Sequence, residues 1–273
     1  MQINCISTLI ALIFTREKYK IGGHIMANIL ITGATGMIGT EITKHLIKSH
    51  TLTLVDYDFS DFPSELTHKS TVITDDLADP ENWDGILDGI HYVIQLAGDP
   101  DAGAEFYDSL LDLNYKLPHN LYEEAKNAKD LKRIIYASSN HAMSGYPNDT
   151  QMKVTDAVRP GDLYGVSKAY VEALATYHAY EHGVESIGLR IGAYTVDDAE
   201  LKDMDKYQLA KYLSVRDMNH LIDCCIEAEM LEKSLIVNGV SNNAFSRLSN
   251  EEARVKLGYK PQDDAFQMMG IFD

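Results

Sequence analysis

The sequence is poor in cysteine, and this scarcity excludes two kinds of protein. Its 273 residues include 3 cysteines, Cys5, Cys224 and Cys225, the last two of them adjacent. Neighbouring cysteines rarely pair and no spaced series of cysteines is present, so a disulfide framework is not expected. No spacing of cysteine and histidine suggests structural zinc, and we expect no metal site. The expected compartment is a reducing cytoplasm.

Positive charge is also in short supply. Lysine and arginine total 24 against 41 acidic residues, which gives a formal net charge of −17. Nucleic acids and anionic membranes are polyanions that would repel such a chain, so neither is an expected partner. The acidic balance is typical of a well-solvated surface, and 45% hydrophobic residues suffice for one substantial core.

A long hydrophobic run is missing as well. The apolar stretch from Ile3 to Phe14 is too short to span a bilayer, and its positive charges follow it, whereas those of a secretory signal precede it. We therefore interpret residues 1–25 as an extension outside the fold and expect no stable membrane insertion. A short membrane-associating segment is the alternative interpretation.

From Met26 onward, short apolar strands alternate with helical segments. This alternation predicts an α/β fold, a Rossmann-type doubly wound parallel sheet with helices on both faces. We assign residues 26–191 to a Rossmann domain and residues 192–273 to a small C-terminal lobe that faces the substrate. Strands are predicted at 27–32, 51–55, 71–74, 91–97, 133–137, 185–190 and 235–237, and helices at 36–48, 113–128, 165–182, 215–230 and from a Ser249-x-x-Glu252 capping box.

A glycine-rich loop follows the first predicted strand and opens the first predicted helix. It reads Gly33-Ala34-Thr35-Gly36-Met37-Ile38-Gly39. Gly33 allows a tight turn, Gly36 lets the backbone approach a phosphate, and Gly39 lets helix and strand pack closely. The helix N-terminus offers free N–H groups and a positive dipole to a pyrophosphate. We expect cofactor contacts from the three glycines and from Met37 and Ile38.

Carboxylates after the second and third strands indicate which dinucleotide is bound. Asp56 ends the second strand, where a carboxylate accepts hydrogen bonds from the adenosine ribose and repels a 2′-phosphate. No lysine or arginine stands beside it, so NAD is favoured over NADP. Asp76 and Leu77 follow the third strand and are candidates to frame the adenine, with a plain loop carboxylate as the alternative.

A tyrosine and a lysine four residues apart suggest proton transfer. Tyr164 and Lys168 share one face of a predicted helix. A free phenol has a pKa of about 10, and positive charge from Lys168 and from an oxidised nicotinamide favours its phenolate. Tyr164 can then take a proton from a substrate hydroxyl while a hydride leaves for the nicotinamide. Ser139, after the fifth strand, supplies a hydroxyl donor.

These motifs together resemble the short-chain dehydrogenase/reductase superfamily, in its extended, epimerase-like branch, from about Met26 to the C-terminus. Residues 137–142 and 163–168 are similar to uronate dehydrogenases and to archaeal NAD-dependent glucose-6-phosphate dehydrogenases. Segments 96–100, 213–217, 223–229 and 257–263 are similar to the archaeal group.

The resemblance implies the oxidation of a cyclic sugar at its anomeric carbon to a lactone, by a homo-oligomer. It makes Ser139, Tyr164 and Lys168 the catalytic residues. It also assigns cofactor contacts to Leu96, Ala97, Gly98, Tyr164 and Lys168, and substrate contacts to Ser139, Asn140, His141, Tyr164 and Arg190. For His141, a buried, satisfied turn histidine is the alternative.

The sequence departs from uronate dehydrogenases at three positions. Pro100 and Ala193 stand where those enzymes carry serines. Tyr207 stands where they use an arginine for the uronate carboxylate, with Lys206 and Lys202 nearby. A lysine can bind an anion as a point charge but lacks the bidentate fit of guanidinium.

Two other functions stay open on the sequence alone. One is a sugar-nucleotide epimerase or dehydratase with tightly held NAD, against which the short C-terminal segment weighs. The other is a non-catalytic NAD-sensing module, against which the intact Ser139, Tyr164 and Lys168 weigh.

Overall fold

The computed structural model describes residues 20–21 and 24–271. Within them, the dominant feature is one parallel sheet of seven strands. The strands are β1 (Asn28–Thr32), β2 (Thr51–Asp56), β3 (Thr71–Thr74), β4 (Tyr92–Gln95), β5 (Arg133–Ser139), β6 (Ser186–Ile191) and β7 (Ser234–Gly239). The helical segments are Met37–Leu46, Ser64–Thr67, Pro80–Trp83, Phe106–Lys116, Leu117–Ala125, Asn140–Met143, Leu163–His182, Asp198–Asp203, Lys206–Leu209, Val215–Glu227, Glu251–Leu257 and Ala265–Met268.

The strand order confirms the predicted doubly wound sheet. Across the sheet the strands run β7-β6-β5-β4-β1-β2-β3. The chain moves outward from β1 to β3 and then returns to the other side of β1 as β4, with Ile29 of β1 opposite Tyr92 of β4. The strand order therefore reverses between β1 and β4, and open α/β sheets bind ligands outside the carboxyl ends of the strands at such a point.

Both faces of the sheet are buried, as a parallel sheet requires. Along β1, Ile29 and Ile31 pack into one hydrophobic cluster while Leu30 between them packs into the opposite one. Successive side chains of a strand point to opposite faces, so an unbroken apolar run fills two cores at once. The helices Val215–Glu227 and Leu163–His182 cover the two faces with Leu221 and Val171, respectively.

The helix predicted at 113–128 begins earlier, at Phe106, and its first part is a π-helix and not an α-helix. The segment Phe106–Lys116 is a π-helix that continues into the α-helix Leu117–Ala125. At the junction, the Leu117 N–H reaches the carbonyl of Asp112, five residues back. Pro118 follows, and its missing N–H removes an α-helical hydrogen bond at this point.

The predicted capping box at Ser249 is wrong. The helix Glu251–Leu257 starts one residue later than that motif requires, with Asn250 at the N-cap and no side-chain capping bond. The Ser249 hydroxyl accepts only a long hydrogen bond, 3.4 Å, from the Glu251 N–H.

The predicted domain boundary at residue 192 separates the last strand of the main sheet, β7, from the other six strands. Strand β7 pairs in parallel with β6, Ser234 opposite Ser186. The remaining elements after 192 include a two-strand ladder of Ala193–Tyr194 with Tyr212–Leu213. The segment thus completes the sheet and also covers the carboxyl end of β6.

The predicted extension 1–25 lies mostly outside the described residues. Its described parts, Lys20–Ile21 and His24–Ile25, form a small antiparallel ladder separate from the main sheet. Over the described residues, no helix is both long enough and apolar enough to cross a membrane.

Arg190 does not contact the predicted substrate site. Its side chain is 3% exposed and is held by Glu172 of the Leu163–His182 helix, with both nitrogen–oxygen distances at 2.8 Å. The Ser138 hydroxyl donates to the same carboxylate at 2.6 Å. The sequence shows an arginine near the end of β6, but the guanidinium turns to the helix layer, where it neutralises a buried carboxylate.

We expect Arg190→Met to lower the free energy of unfolding by about 3–5 kcal/mol, because it leaves the Glu172 carboxylate buried without its partner. Urea denaturation measures this loss. The control is Arg216→Met, which removes an exposed ion pair with Asp263 and is expected to cost about 0–1 kcal/mol. Equal losses in the two variants would contradict the assignment.

Candidate active site

A cleft of about 690 Å³ opens along the carboxyl ends of the strands, across the point where the strand order reverses. It has the size of a small-molecule site. The structure brings fourteen of the sequence-predicted residues to its wall: Gly33, Gly36, Met37, Ile38, Gly39, Asp56, Leu96, Ala97, Gly98, Ser139, Asn140, His141, Tyr164 and Lys168. Asp76, Leu77 and Arg190 are not among the lining residues.

The glycine loop is shaped by close backbone contacts. Gly33 has a φ of +70°, and a Cβ on it would lie 2.6 Å from the Ala97 nitrogen. A Cβ on Gly39 would lie 2.2 Å from the Gly33 carbonyl oxygen. Side chains are thus excluded at both positions, and the first turn of the Met37–Leu46 helix faces the cleft with N–H groups that have no intrahelical acceptor.

Asp56 is fixed at the end of β2 by its neighbours. Its Oδ2 accepts from the backbone N–H of Thr35 at 2.9 Å and from the Thr35 hydroxyl at 2.8 Å. Its Oδ1 accepts from the Tyr57 N–H at 2.8 Å. The carboxylate therefore ties the glycine loop to the second strand and places a negative charge on the cleft wall.

Asp76 and Leu77, the predicted adenine frame, do not line the cleft themselves, and their role stays a prediction. Leu77 is buried in the core, and its carbonyl accepts from the Trp83 indole at 2.8 Å. The Asp76 carboxylate accepts from the Tyr57 hydroxyl at 2.8 Å, and burial, followed by this bond, raises the pKa of Tyr57 to about 12. Tyr57, which sequence reasoning missed, lines the cleft instead.

Ser139 and Tyr164 meet inside the cleft. Ser139 is the last residue of β5, and Tyr164 lies in the first turn of the Leu163–His182 helix, whose N-cap Asp162 accepts from the Gly165 N–H at 2.7 Å. Burial raises the pKa of the Tyr164 phenol, and its hydrogen bond with Ser139 acts in the opposite direction. The phenol of the free protein is therefore protonated at neutral pH.

Lys168 places a buried positive charge beside this phenol. Its side chain is 6% exposed, and Nζ donates to the Ala137 carbonyl at 3.1 Å. Nζ lies 5.4 Å from the centroid of the Tyr164 ring. Burial lowers the pKa of the Lys168 ammonium to about 8, against the opposing effect of the Asp99 carboxylate. Most of the lysine is thus still charged at neutral pH.

Asn114 holds the loop after β4 against the Leu163–His182 helix, and the sequence analysis missed it. Its side-chain oxygen accepts from the Asp99 N–H at 2.7 Å, and its amide donates to the Asp99 carbonyl at 3.1 Å. The same amide donates to the Ser167 hydroxyl at 3.0 Å. No motif marks this residue, since its partners come from distant segments.

The far wall of the cleft carries polar side chains from several segments. His141 is 30% exposed, which does not fit a buried turn histidine, and its Nδ1 lies 2.7 Å from the Asp162 carboxylate. The Asn140 amide donates to the Ile191 carbonyl at 3.0 Å. Tyr194, Gln208 and Lys211 also line the cleft, and the sequence analysis missed all three. Pro100 and Ala193, which stand where uronate dehydrogenases carry serines, line it as well.

The catalytic and binding roles assigned from the sequence stay predictions, but most of the residues concerned lie together. Residues 29–194 match the model of the NAD dependent epimerase/dehydratase family. This match covers the sheet from β1 to β6 and all of the glycine loop.

Relatives that align with most of the chain are sugar dehydrogenases by name. The NAD-dependent glucose-6-phosphate dehydrogenase of Haloferax volcanii is 34% identical over 251 residues, which are 87% of this chain and 94% of that protein. The L-arabinose 1-dehydrogenase (NAD(P)(+)) of the same organism is 31% identical over 258 residues, 88% of this chain and 98% of that protein. The crystal structure of uronate dehydrogenase from Agrobacterium tumefaciens matches with a TM-score of 0.79 at 28% identity, covering 90% of this chain and 88% of that one.

The effect of the close approach between Gly33 and Ala97 can be measured by comparison with a second glycine that has the same φ angle. Gly89 also has a φ of +70° but has open space where a Cβ would lie. We expect Gly89→Ala to cost at most about 1–2 kcal/mol, the strain of a left-handed residue, and Gly33→Ala to cost clearly more, because its Cβ also enters the turn after β4. Urea denaturation of both variants measures the difference, and equal losses would contradict the close approach.

Proposed function

This chain belongs to the NAD dependent epimerase/dehydratase family, and we propose that it is an NAD-dependent oxidoreductase acting on a sugar hydroxyl. The observation that carries the proposal is the convergence of Ser139, Tyr164 and Lys168 in one cleft with the glycine loop and Asp56. The names of the relatives, sugar and sugar-acid dehydrogenases, support the same reaction class.

The residues present fit NAD. Neither Gly33 nor Gly39 has room for a side chain. Backbone N–H groups of the glycine loop are therefore free to face a pyrophosphate. Asp56, at the end of β2, would accept from the ribose hydroxyls of the adenosine and repel a 2′-phosphate. When bound, NAD supplies the hydride acceptor and, in its oxidised ring, a further positive charge.

Tyr164 is the proposed general base. Because burial raises the pKa of its phenol, the neutral form must give way to the phenolate before a substrate proton can be accepted. The Lys168 charge and the Ser139 hydrogen bond both favour that anion. Ser139 would also donate to the substrate oxygen as it changes from hydroxyl to carbonyl.

The reaction balances without a metal or a covalent intermediate. The C–H bond of the hydroxyl-bearing carbon breaks with its electron pair leaving as hydride, the O–H proton passes to the Tyr164 oxygen, and a C=O bond forms. We propose the anomeric carbon as the site of oxidation, which turns a cyclic sugar into a lactone. Asn140 and His141, on the wall that follows Ser139, would orient the sugar hydroxyls.

We expect Tyr164→Phe to lower the turnover of the best sugar substrate by roughly 10²–10⁴-fold, the typical contribution of a positioned acid–base group. The measurement is NADH formation from NAD with a panel of aldoses, uronates and aldose phosphates. NAD affinity, measured by calorimetry, should stay within about twofold of the wild type, because the hydroxyl acts on the substrate proton.

The control is Tyr177→Phe, the same change at an exposed position of the same helix, which should leave turnover intact. Full turnover by Tyr164→Phe would refute the base assignment. Conversion of nucleotide sugars with no net NADH would instead indicate an epimerase or a dehydratase.

Asp56→Ala should weaken NAD and relax the discrimination against NADP. Opposing like charges cost several kcal/mol, so the ratio of kcat/KM for NADP to that for NAD should rise roughly 10-fold or more. Steady-state kinetics with both cofactors measures the ratio. Asp58→Ala, two residues along and bonded only locally to Ser60, is the matched control, and an unchanged ratio in Asp56→Ala would remove Asp56 from the ribose role.

A further inference from the structure

Lys211 is a buried lysine on the wall of the cleft that the proposed mechanism does not use. Its side chain is 7% exposed, and it lines the cleft together with Gln208 and Asn140. Its backbone is held against the end of β6, where its carbonyl accepts from the Ala193 N–H at 2.8 Å. A Cβ on Gly192 would lie 1.9 Å from that carbonyl oxygen, so this approach requires a glycine there.

The Lys211 ammonium is oriented but is not neutralised. Nζ donates to the Asn140 side-chain oxygen at 3.2 Å and lies 3.8 Å from the centroid of the Tyr207 ring. Across the described residues, no carboxylate forms an ion pair with it. Asp205 acts on it only from a distance, and its Oδ1 already accepts from the Gln208 N–H at 2.7 Å.

A second buried cation strengthens the positive field. The Arg247 guanidinium carbon lies 4.5 Å from the centroid of the same Tyr207 ring. Its terminal nitrogens donate to the carbonyls of Pro147 and Tyr146, and its buried Nε has no hydrogen-bond partner. Carbonyl groups satisfy donors but do not cancel charge, so Arg247 adds a second positive charge behind Lys211, although Arg247 itself does not line the cleft.

Two buried cations without counter-charges are costly to hold unless a ligand supplies the negative charge. Burial, followed by the Arg247 charge, lowers the pKa of Lys211 to about 8, so most of it remains charged at neutral pH. Lysine binds phosphate and carboxylate groups as a point charge with three donors. One N–H is used by Asn140, which leaves others for a ligand.

We propose that Lys211 binds the oxyanion of an anionic sugar, a carboxylate or a phosphate monoester, and so sets the substrate class of this cleft. The inference rests on the proposed sugar dehydrogenase function. It also distinguishes Lys211 from the two lysines that the sequence places near the position of the uronate-binding arginine. Lys202 and Lys206 are exposed and do not line the cleft.

The test compares an anionic and a neutral sugar on matched variants. Wild type, Lys211→Met and Lys206→Met are assayed with NAD and D-glucuronate, D-glucose 6-phosphate or D-glucose. We expect the wild type to prefer one of the two anionic sugars, and which of them it prefers identifies the oxyanion. Lys211→Met should lower its kcat/KM for that sugar roughly 10- to 100-fold through KM, the effect of losing a charge-assisted hydrogen bond. Its kcat/KM for D-glucose should fall clearly less, because both sugars lose the bond that holds Asn140 but only the anionic sugar also loses a charge pair.

Lys206→Met, an exposed lysine of the same charge, should change neither value. Lys211→Arg, which keeps the charge, should retain more of the anionic preference than Lys211→Met. An equal loss for anionic and neutral sugars in Lys211→Met, or no loss at all, would overturn the proposal. So would a wild type that prefers D-glucose.

A separate readout distinguishes failure of this inference from failure of the proposed function. If the wild type oxidises no sugar of the panel, the dehydrogenase proposal fails, and binding still tests Lys211. Calorimetry then measures D-glucuronate and D-glucose 6-phosphate against the NADH-loaded wild type and Lys211→Met. Weaker binding in the variant supports the lysine as an anion site. Equal binding, or no binding to either protein, overturns it.

Discussion

The cleft depends on the parallel alignment of β1 with both β2 and β4. Because these strands run in one direction, the turn after each of them reaches the same edge of the sheet. The glycine loop, Asp56 and Gly98 meet there although 65 residues separate Gly33 from Gly98 in the chain. The contact between Gly33 and the Ala97 backbone closes this edge tightly enough that no side chain fits between the two turns.

The cleft contains buried positive charge, although the chain as a whole is negative. The protein carries a formal net charge of −17, yet the two lysines that line the cleft, Lys168 and Lys211, are both buried. Asp99 acts on Lys168 and Asp205 acts on Lys211, but no carboxylate of the described residues forms an ion pair with either lysine. In the proposed function, one lysine favours a phenolate and the other an anionic sugar, so both act as unneutralised charges in a site of reduced dielectric.

Much of the fold was predictable because it follows from local patterns. The glycine loop after the first strand and Asp56 at the end of the second marked two strand ends, and the four-residue spacing of Tyr164 and Lys168 indicated their shared helix face. Other features depend on partners distant in sequence. Arg190 ends a strand like a site residue, but a glutamate eighteen residues earlier in the chain takes its guanidinium. Lys211 carries no motif and reaches the cleft only because Gly192 lets its backbone approach β6. The sequence shows Pro118, but it does not predict the π-helix that precedes this residue.

In the proposed function, Tyr164 becomes a usable base because positive charge lowers the pKa of a phenol that burial has raised. Ultraviolet difference titration, wild type minus Tyr164→Phe, follows the phenolate of this residue with and without saturating NAD. We expect NAD to shift the phenolate titration toward neutral pH, and Lys168→Met to move it back to higher pH. A titration that is the same with and without NAD, and unchanged by the loss of Lys168, would contradict this expectation.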